Sequence, residues 1–304
     1  MATAEWIAVD WGTSNLRAWV FGPGNALIAQ KSSDKGMGTL APTGFEPALL
    51  ELVAPYLGGG PVPVPVICCG MVGARQGWQE AVYVTVPCAP PGVAQATKVI
   101  ANDPRIAPLI LPGMKQTAPT DVMRGEETQI AGFIAENPGF DGIVCLPGTH
   151  TKWAQISAGE VKSFATFMTG ELFALLSGQS VLRHSVQSDD WDAAAFADAV
   201  SDTLDQPQTL SARLFGLRAE TLVNDMSAAM ARSRLSGILI GLELAGARPY
   251  WLGQRIALLG DPKLCSLYQT ALDQQGAKAE LVAGDAMTLA GLNAAYVGWK
   301  ETTR

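Results

Sequence analysis

The sequence predicts an α/β protein that is built from two domains of similar organisation. The chain has 304 residues, which exceeds the usual size of a single domain and favours two domains of roughly 150 residues each. In addition, one order of segments (strand, Gly-Thr turn, strand, turn, strand, helices) begins at Trp6 and begins again at Gly142. We therefore expect an internal duplication.

The first half opens with three short strands and continues with helices and further strands. Each strand is an apolar run that ends near a turn signal, and "GPGN" separates the second strand from the third. The last helix has acidic residues in its first turn and apolar residues at helical spacing. The predicted elements are strands at Trp6–Val9, Leu16–Phe21, Ala26–Gln30, Val64–Cys69 and Pro108–Gly113, and helices at Phe45–Leu57 and Gly125–Glu136.

The second half begins with the same order of segments, in which "PGTH" is the turn between the first two strands. Helices follow, and two strand-helix pairs end the chain. The predicted elements are strands at Gly142–Leu146, Thr151–Ile156, Glu160–Phe164, Arg255–Leu259 and Ala279–Val282, and helices at Gly170–Leu182, Ala193–Leu204, Thr221–Ala245, Pro262–Gln275 and Gly284–Trp299.

The composition is that of an ordinary soluble protein, with 48% hydrophobic and 16% charged residues. A net charge of −7 argues against a nucleic-acid or anionic-membrane partner, because phosphate groups repel an acidic surface. The longest uncharged span, Leu52–Ala74, contains four prolines and a run of three glycines, which break a spanning helix. The N-terminus has no basic region, so we expect no signal peptide and a cytoplasmic protein. Five cysteines without a C-x-x-C pair are expected to be reduced and mostly in the core.

Two hairpin turns, one in each half, are candidates for phosphate binding. The first is Gly12–Ser14 in "DWGTS" and the second is Gly148–Thr149 in "PGTH". Glycine lets the backbone approach a ligand closely, and successive N–H groups with a hydroxyl form an anion site. Asp10 is then placed to hold hydrated Mg²⁺, which prefers one or two carboxylates plus phosphate oxygens. For either turn alone an ordinary hairpin with a capping aspartate is the better interpretation, whereas the pair favours phosphate binding.

The segment "PTDVMRGEETQ" places Asp121, Arg124, Glu126 and Glu127 at the predicted start of a helix. A solvated helix N-terminus stabilised by the macrodipole explains these acids without any function. However, the helix leads directly into the second phosphate turn, so a carboxylate there could reach both a bound hydroxyl and a γ-phosphate. This position favours a catalytic role.

Further candidates follow other glycine-containing turns. In "CCGMVGARQGW", Arg75 is a candidate fork for a substrate carboxylate and Trp78 for stacking on a sugar-like ligand, with a surface arginine and a core tryptophan as the equal alternative. In "LLGD", Gly260 is placed where a helix N-terminus can meet a nucleotide. His150, in the second turn, is placed to hydrogen-bond phosphate. The chain has no Walker-type loop, no G-x-S-x-G elbow and no dinucleotide fingerprint.

Taken together, these motifs resemble a known family. The stretches "VDWGTSNLRAWV", "CGMVGARQGW", "PTDVMRGEETQIAG", "LPGTHTKW" and "FMTGELFALL" closely resemble the 2-keto-3-deoxygalactonate kinases, also called 2-dehydro-3-deoxygalactonokinases. This family lies within the superfamily of acetate and sugar kinases, heat-shock ATPases and actin. The resemblance implies two ribonuclease-H-like domains of the actin-like ATPase type around a nucleotide cleft. Residues 1–137 would carry the first phosphate turn and the sugar-acid site, and residues 138–304 the second phosphate turn and the adenosine site.

The resemblance also implies the reaction and, with the residues above, a set of roles. ATP and 2-dehydro-3-deoxy-D-galactonate would give ADP and the 6-phosphate, a step of D-galactonate breakdown that uses Mg²⁺. A homodimer is compatible with the family, although no stretch of the sequence shows an interface. The candidate roles are metal binding by Asp10, phosphate binding by Gly12, Thr13, Ser14, Gly148, Thr149, His150 and Lys152, adenosine binding by Gly260 and Asp261, and substrate binding by Arg75, Trp78 and Arg124.

In the register of the superfamily the general base falls on Glu126, and Asp121, five residues earlier, is its near-equal rival. The fold-level motifs bind ATP and do not choose the acceptor. The alternatives are therefore a kinase for another sugar acid or sugar, a polyphosphatase-like hydrolase, and a nucleotide-gated binding protein of the same fold.

Overall fold

The computed structural model describes residues 3–302. Over these residues the chain forms fourteen strands, and the longer ones coincide with the apolar runs of the sequence. The strands are β1 (Trp6–Trp11), β2 (Leu16–Gly22), β3 (Ala26–Ser33), β4 (Val64–Gly70), β5 (Tyr83–Thr85), β6 (Thr97–Lys98), β7 (Ile106–Ile110), β8 (Gly113–Thr117), β9 (Thr120–Met123), β10 (Gly142–Leu146), β11 (Thr151–Ser157), β12 (Glu160–Phe167), β13 (Ile256–Gly260) and β14 (Ala279–Ala283).

Nine α-helices lie in the same part of the chain, and short 3-10 turns connect several of the elements. The helices are α1 (Phe45–Val53), α2 (Glu126–Glu136), α3 (Thr169–Gly178), α4 (Ala193–Asp205), α5 (Leu210–Val223), α6 (Ala228–Gly246), α7 (Arg248–Trp251), α8 (Pro262–Gln274) and α9 (Gly284–Thr302).

The two larger sheets share one strand order. The first sheet has the order β3-β2-β1-β4-β7-β6, with β1 antiparallel to β2 and parallel to β4. The second has the order β12-β11-β10-β13-β14, with β10 antiparallel to β11 and parallel to β13. In both sheets a meander of three strands is extended beside its first member by two parallel strands, and the first sheet has β6 as an additional antiparallel edge strand. This arrangement confirms the predicted α/β fold with two ribonuclease-H-like halves.

The chain divides into two compact units. The first unit contains the residues up to Phe140, the segment Ser157–Ser163 and the residues from Gly284 onward, and the second unit contains Asp141–Ile156 and Phe164–Ala283. The division after Phe140 lies close to the expected one between residues 137 and 138. The last helix, in contrast, was expected in a domain of residues 138–304 and groups with the first unit.

Close packing of two helices explains the placement of α9. A Cβ atom on Gly132 of α2 would lie 2.0 Å from the carbonyl oxygen of Met287, and one on Gly291 of α9 would lie 2.0 Å from that of Thr128. Glycine at both positions therefore lets the two backbones touch. Small residues in α9 were expected on a packing face, but the sequence does not indicate that α2 is the partner.

The core of the first unit explains why β1 is a continuous apolar run. Ile7 packs in a buried cluster with Phe45 of α1, whereas Trp6 packs on the opposite face with Tyr296 of α9. The Trp6 and Tyr296 rings stack with centroids 4.2 Å apart. Because helices cover both faces of the sheet, its central strands lack the alternation of a half-exposed strand.

The core of the second unit is built around the central strands of its own sheet. Ile143 of β10 and Leu258 of β13 are buried in one cluster with residues of α4, α6 and α8. The predicted helix Thr221–Ala245 is replaced here by two helices, α5 and α6, and the predicted helix Gly170–Leu182 ends at Gly178.

A third sheet of order β5-β8-β9 lies in the first unit and was not predicted. Its strands have three to five residues, and "GMKQT" of β8 lacks an apolar stripe. Short strands of this kind are specified by their partners more than by their own sequence.

The described helices and the cysteines bear on two further expectations from the sequence. Between residues 3 and 302 no helix is long and apolar enough to cross a bilayer. All five cysteines are free thiols, with Cys68, Cys69, Cys145 and Cys265 buried and Cys88 half-buried, which confirms the expectation of reduced core cysteines.

Candidate active site

The first predicted phosphate turn joins β1 to β2. The N–H of Gly12 donates to the carbonyl of Asn15 at 2.9 Å and closes the turn. A Cβ on Gly36 would lie 2.3 Å from the carbonyl oxygen of Thr13, so the neighbouring segment packs directly against the turn. The side chains of Thr13 and Ser14 are exposed. The turn is thus supported on one side and presents two hydroxyls on the other.

Asp10, the predicted metal ligand, lies opposite Arg17 in the β1–β2 pair. Arg17 donates to Asp10 Oδ2 through Nε at 3.2 Å and Nη2 at 2.5 Å, and its Nη1 donates to Asp285 Oδ1 at 2.5 Å. Burial alone would lower the pKa of the Arg17 guanidinium, but the two carboxylates outweigh this effect and raise it. Sequence reasoning missed Arg17, although the register of a hairpin that turns at residues 12–15 places it across from Asp10.

The side chains around Asp10 determine whether this site can hold Mg²⁺. The described residues include no group of three or more His, Cys, Asp or Glu side chains that could hold a metal ion. Mg²⁺ keeps most of its waters and needs only one or two carboxylates when phosphate oxygens complete its shell. The Asp10 side chain, 19% exposed and next to the first turn, therefore fits a metal ion that arrives with a nucleotide.

Helix α2 begins beside the end of β4. A Cβ on Gly125 would lie 3.4 Å from the Cα of Gly70, and a Cβ on Gly70 would lie 3.4 Å from Asp10 Oδ1. Both glycines have positive φ, at 110° and 89°, which other residues rarely adopt. The N-terminus of α2 and Asp10 thus lie close together within the first unit.

The buried thiol of Cys69 also connects these groups. Its Sγ lies 3.7 Å from Asp10 Oδ1. Burial raises the pKa of the Cys69 thiol well above its usual value, and the nearby carboxylates of Asp10 and Glu127 raise it further. The carboxylates of Asp10 and Glu127 therefore both act on the pKa of the Cys69 thiol.

The two glutamates at the start of α2 differ in their surroundings. Glu127 is buried, and both of its carboxylate oxygens accept from the N–H of Gly125, at 2.9 and 2.7 Å. Burial and the neighbouring Glu126 carboxylate raise the pKa of Glu127 to about 7. Glu126 is half-buried and accepts from the N–H of Arg124 at 3.0 Å. Glu127 therefore stabilises the helix start, and Glu126 is the more accessible carboxylate.

Asp121 does not lie at the helix start, and this part of the sequence interpretation is wrong. It lies in β9, opposite Gln116 of β8, and its Oδ1 accepts from the N–H of Val122 at 2.7 Å. The error arises because β9 belongs to the sheet that the sequence pattern does not indicate.

The second predicted phosphate turn joins β10 to β11 and packs against the start of α3. A Cβ on Gly170 would lie 2.3 Å from the carbonyl oxygen of Gly148. The N–H of Glu171 donates to the carbonyl of Thr149 at 3.0 Å, and the Glu171 carboxylate pairs with His150 Nε2 at 2.5 Å. Thr149 and His150 are exposed. This turn, like the first, is supported by a glycine-containing segment.

The predicted adenosine turn lies next to the second phosphate turn. Gly260 ends β13, and a Cβ on it would lie 3.2 Å from the carbonyl oxygen of Pro147. Asp261 caps α8, since its Oδ1 accepts from the N–H of Leu264 at 3.0 Å. Two turns that are more than 100 residues apart in sequence, as 147 and 260 are, thus meet in the second unit.

A cavity of about 440 Å³ opens beside these turns within the second unit. Gly148 and Thr149 form one part of its wall, and apolar and aromatic side chains of α3, α6 and α8 form most of the rest. Arg232 of α6 adds a positive charge, with its guanidinium carbon 5.1 Å from the centre of the Phe173 ring. The predicted residues Gly260 and Asp261 do not line the cavity, whereas Leu264 of the same turn-helix segment does.

The candidate substrate residues have different surroundings. Arg75 is exposed. Trp78 is half-buried and packs against Trp11, with ring centroids 6.2 Å apart, as in the core-tryptophan alternative. Arg124 donates to the Tyr83 hydroxyl at 3.3 Å and to the Ala81 carbonyl at 2.8 Å.

Two of the predicted site residues, Arg124 and Lys152, have buried cationic atoms. Arg124 Nη1 is buried without a hydrogen-bond partner among the described residues. Lys152 is 5% exposed, and its Nζ donates to Thr166 Oγ1 at 2.9 Å. Neither group is directed at open solvent.

A buried carboxylate in α6 also escaped sequence reasoning. Glu243 is 2% exposed, and burial raises its pKa to about 7, although the hydroxyls of Thr169 and Tyr268 and the Trp153 N–H oppose this effect. Its signal in the sequence is that it is the only charged residue between Leu235 and Ala247. An isolated acid in an apolar helix is rarely buried without partners.

The fold and the site together define the class of this protein. Two α/β units have sheets of the same order, and each has a supported Gly-Thr turn after its first strand. This is the architecture of a two-part ribonuclease-H-like protein. The chain belongs to the 2-keto-3-deoxy-galactonokinase family, whose sequence profile matches residues 10–295. The family is one of kinases, which confirms the expectation raised by the motifs.

Individual relatives agree with this assignment. A probable 2-dehydro-3-deoxygalactonokinase of Rhizobium meliloti (strain 1021) is 44% identical over 303 residues, covering 97% of this chain and 98% of the relative. The 2-dehydro-3-deoxygalactonokinase of Escherichia coli (strain K12) is 33% identical over 293 residues, covering 95% and 97%.

Solved structures show the same fold. A crystal structure of a Sinorhizobium meliloti protein assigned as a 2-dehydro-3-deoxygalactonokinase is 43% identical and has a TM-score of 0.88, covering 95% of this chain and 97% of that one. Component A of the (R)-2-hydroxyglutaryl-CoA dehydratase of Acidaminococcus fermentans is only 10% identical, with a TM-score of 0.50 over 97% and 100% of the chains, and shares the fold alone.

Proposed function

We propose that this protein is a kinase that uses ATP to phosphorylate 2-dehydro-3-deoxy-D-galactonate at its 6-hydroxyl, a step in D-galactonate breakdown. The observation that carries the proposal is the family match over residues 10–295. Two relatives with this enzyme name, similar over nearly the whole chain, support it. The oxygen of the primary hydroxyl attacks the γ-phosphorus, the bond to the β-phosphate oxygen breaks, and ADP leaves.

The phosphate groups are assigned to the two glycine turns. In the first turn, Thr13 and Ser14 offer backbone N–H groups and exposed hydroxyls, while the Gly12 N–H closes the turn. In the second turn, Gly148, Thr149 and His150 offer backbone N–H groups, to which Thr149 adds a hydroxyl and His150 an exposed imidazole. Phosphoryl transfer has a loose transition state, so fixed donors that position and neutralise the phosphates contribute more than covalent chemistry does.

Asp10 is assigned to Mg²⁺, which when bound neutralises charge on the phosphates. Arg17 holds the Asp10 carboxylate at 2.5 Å and thereby fixes its position. The same guanidinium is anchored from the other side by Asp285. Arg17 is therefore placed to orient the carboxylate that receives the metal.

Glu126 is the preferred general base. The start of α2 lies next to Gly70 and Asp10, and Glu126 is half-buried there, whereas Asp121 lies on β9. A carboxylate near the metal-side aspartate is within the region where the acceptor hydroxyl has to bind. Glu127 is buried and already occupied by the N–H of Gly125, so it is assigned to holding the helix start.

Arg75 is the preferred partner of the substrate carboxylate. It is exposed and follows a glycine turn, while two of the donor groups of Arg124 are taken by Tyr83 and Ala81. Trp78 and Arg124 are the further candidates for substrate binding. Lys152 remains a proposed phosphate contact whose ammonium has to leave Thr166 to act.

The adenosine part of ATP is assigned to the 440 Å³ cavity beside Gly148 and Gly260. Its apolar and aromatic wall suits an adenine ring, and Gly260 and Asp261 shape the turn at its edge. We place the enzyme in the cytoplasm, with the sugar acid and ATP as its partners and without a nucleic-acid or membrane partner. A homodimer is compatible with the family.

The decisive experiment measures ADP formation from ATP with a panel of acceptors and with Mg²⁺. ADP should form rapidly only with 2-dehydro-3-deoxy-D-galactonate. Faster turnover with its gluconate epimer or another sugar acid would support a different kinase, and steady ADP formation without acceptor would support a hydrolase.

A matched pair of variants assigns the base. Glu126→Gln should lower turnover by at least ~10²-fold, the smaller end of the usual contribution of a general base. Asp121→Asn should leave turnover nearly unchanged. The opposite result would move the role to Asp121.

A further inference from the structure

One buried carboxylate has no role in the proposed function. Glu243 of α6 is 2% exposed and lies among the apolar residues of the second unit. It accepts from Trp153 Nε1 at 2.8 Å, from the Tyr268 hydroxyl at 2.7 Å and from the Thr169 hydroxyl. The three donors lie on β11, α8 and α3, so Glu243 links three segments of the chain by hydrogen bonds.

Two of these donors lead directly to the second phosphate turn. Thr169 is the first residue of α3, and the next residue, Gly170, touches the turn, because its Cβ would lie 2.3 Å from the carbonyl oxygen of Gly148. Glu243 therefore anchors the helix start that supports the turn from one side.

Tyr268 connects Glu243 to the other end of the same turn. Its hydroxyl lies 3.0 Å from Thr151 Oγ1, and Thr151 is the first residue after the turn. The Tyr268 hydroxyl thus donates to Glu243 and also pairs with the hydroxyl of Thr151. The carboxylate is thus tied to the chain on both sides of Gly148–His150.

Burial of the Glu243 carboxylate costs free energy, which favours a role for it in holding the turn. Taking a carboxylate out of water is unfavourable, and an apolar residue of similar volume often packs at least as well. Phosphate-binding N–H groups, in contrast, act best when the surrounding contacts hold them in place before the ligand arrives.

We propose that Glu243 is a positioning residue that holds the Gly148–His150 turn and the start of α3 in the geometry that binds the phosphates of ATP. This inference rests on the proposed function, since it assumes that this turn contacts the nucleotide. It predicts a defect confined to the nucleotide, because Glu243, Thr169 and Tyr268 belong to the second unit, whereas Arg75 and Trp78 belong to the first.

The test compares Glu243→Gln with the wild type in the acceptor-dependent assay. Glutamine keeps the shape but replaces one acceptor oxygen by a donor, so either the Trp153 N–H loses its acceptor or the Thr169 and Tyr268 hydroxyls have to reverse from donors to acceptors. We expect the KM for ATP to rise about 10-fold or more and kcat to fall, with the KM for the sugar acid unchanged. Tyr268→Phe removes the hydrogen bonds of one hydroxyl to both Glu243 and Thr151 but leaves the Trp153 and Thr169 donors in place. It should shift the KM for ATP in the same direction by a smaller factor.

Leu272→Ala is the matched control for a loss of stability. Leu272 lies four residues after Tyr268 in α8, is fully buried in the same core and does not line the cavity. It should lower the melting temperature without changing either KM. Equal rises of both KM values in Glu243→Gln, or an unchanged KM for ATP in both Glu243→Gln and Tyr268→Phe, would overturn the proposal.

A binding measurement separates this inference from the proposed function. Calorimetric titration with Mg-ADP needs no acceptor, and the affinity of Glu243→Gln should again be about 10-fold weaker. If the wild type binds Mg-ADP but phosphorylates no sugar acid, the proposed function fails while the positioning role is still tested. If both proteins bind Mg-ADP equally well, the positioning role fails.

Discussion

Replacing Gly291 by alanine should push α9 away from α2 and destabilise the first unit. The new Cβ would lie 2.0 Å from the carbonyl oxygen of Thr128 and 3.0 Å from its Cγ2. Carbon–oxygen contacts between helices are ordinarily about 3.3 Å or longer. The nearest atom is backbone, so no side-chain rotation relieves the overlap, and the helices have to separate by roughly 1 Å.

The size of the effect follows from two opposing contributions. Overpacking of this kind costs about 1–3 kcal/mol, and alanine in a helix regains up to ~1 kcal/mol relative to glycine. Because the overlap is with backbone on both sides of the contact, we expect the upper end, a net loss of about 2 kcal/mol. The melting temperature should fall by about 4–8 °C, at ~2–4 °C per kcal/mol for a unit of this size.

The matched control is Gly298→Ala in the same helix. A Cβ there meets no atom within 4 Å, so this variant should be as stable as the wild type or slightly more stable. Unfolding in urea, followed by circular dichroism, measures both variants. Equal stability of Gly291→Ala and Gly298→Ala would refute the close packing of α2 and α9, and with it the placement of the last helix in the first unit.

Catalysis provides a second readout of the same change. Helix α2 begins at Glu126, so a shift of the helix moves the proposed base. Turnover of Gly291→Ala should therefore fall at temperatures where the variant is still folded, because a displacement of about 1 Å at a reacting group can cost ~10²-fold.

Three further predictions concern other parts of the molecule. Gly170→Ala places a Cβ 2.3 Å from the Gly148 carbonyl and should raise the KM for ATP about 10-fold, whereas Gly178→Ala, with open space in the same helix, should not. Because burial raises the pKa of Glu127 to about 7 from 4.5, the folded protein keeps a proton that the unfolded chain releases, and the free energy of unfolding should fall by up to about 3 kcal/mol between pH 4.5 and 7. Urea unfolding of Glu127→Gln at pH 5 and pH 8 should show a smaller fall, and an identical one would contradict the raised pKa. In the native protein only the half-buried Cys88 should react readily with a thiol reagent, and reaction of all five cysteines before unfolding would disprove their burial.

The sequence by itself determined the local elements and the family. Continuous apolar runs such as Trp6–Val9 and Gly142–Leu146 became the central strands of the two sheets, because a strand covered on both faces needs apolar residues at every position. Glycine-containing turns after these strands also followed from local chemistry, since a tight turn restricts which residues fit. The order of these motifs was specific enough to indicate the kinase family.

Only the tertiary structure decided which segments meet. Asp121 joined a strand that pairs with β8, and α9 joined a helix more than 150 residues earlier in the chain, since α2 begins at Glu126 and α9 at Gly284. Glu243 likewise met hydrogen-bond donors from three separate elements, β11, α3 and α8. Hydrophobic periodicity specifies which face of an element is buried, but not what covers it. Which atoms become neighbours is settled by close packing of the whole chain, where two backbones can touch only at residues such as Gly132 and Gly291.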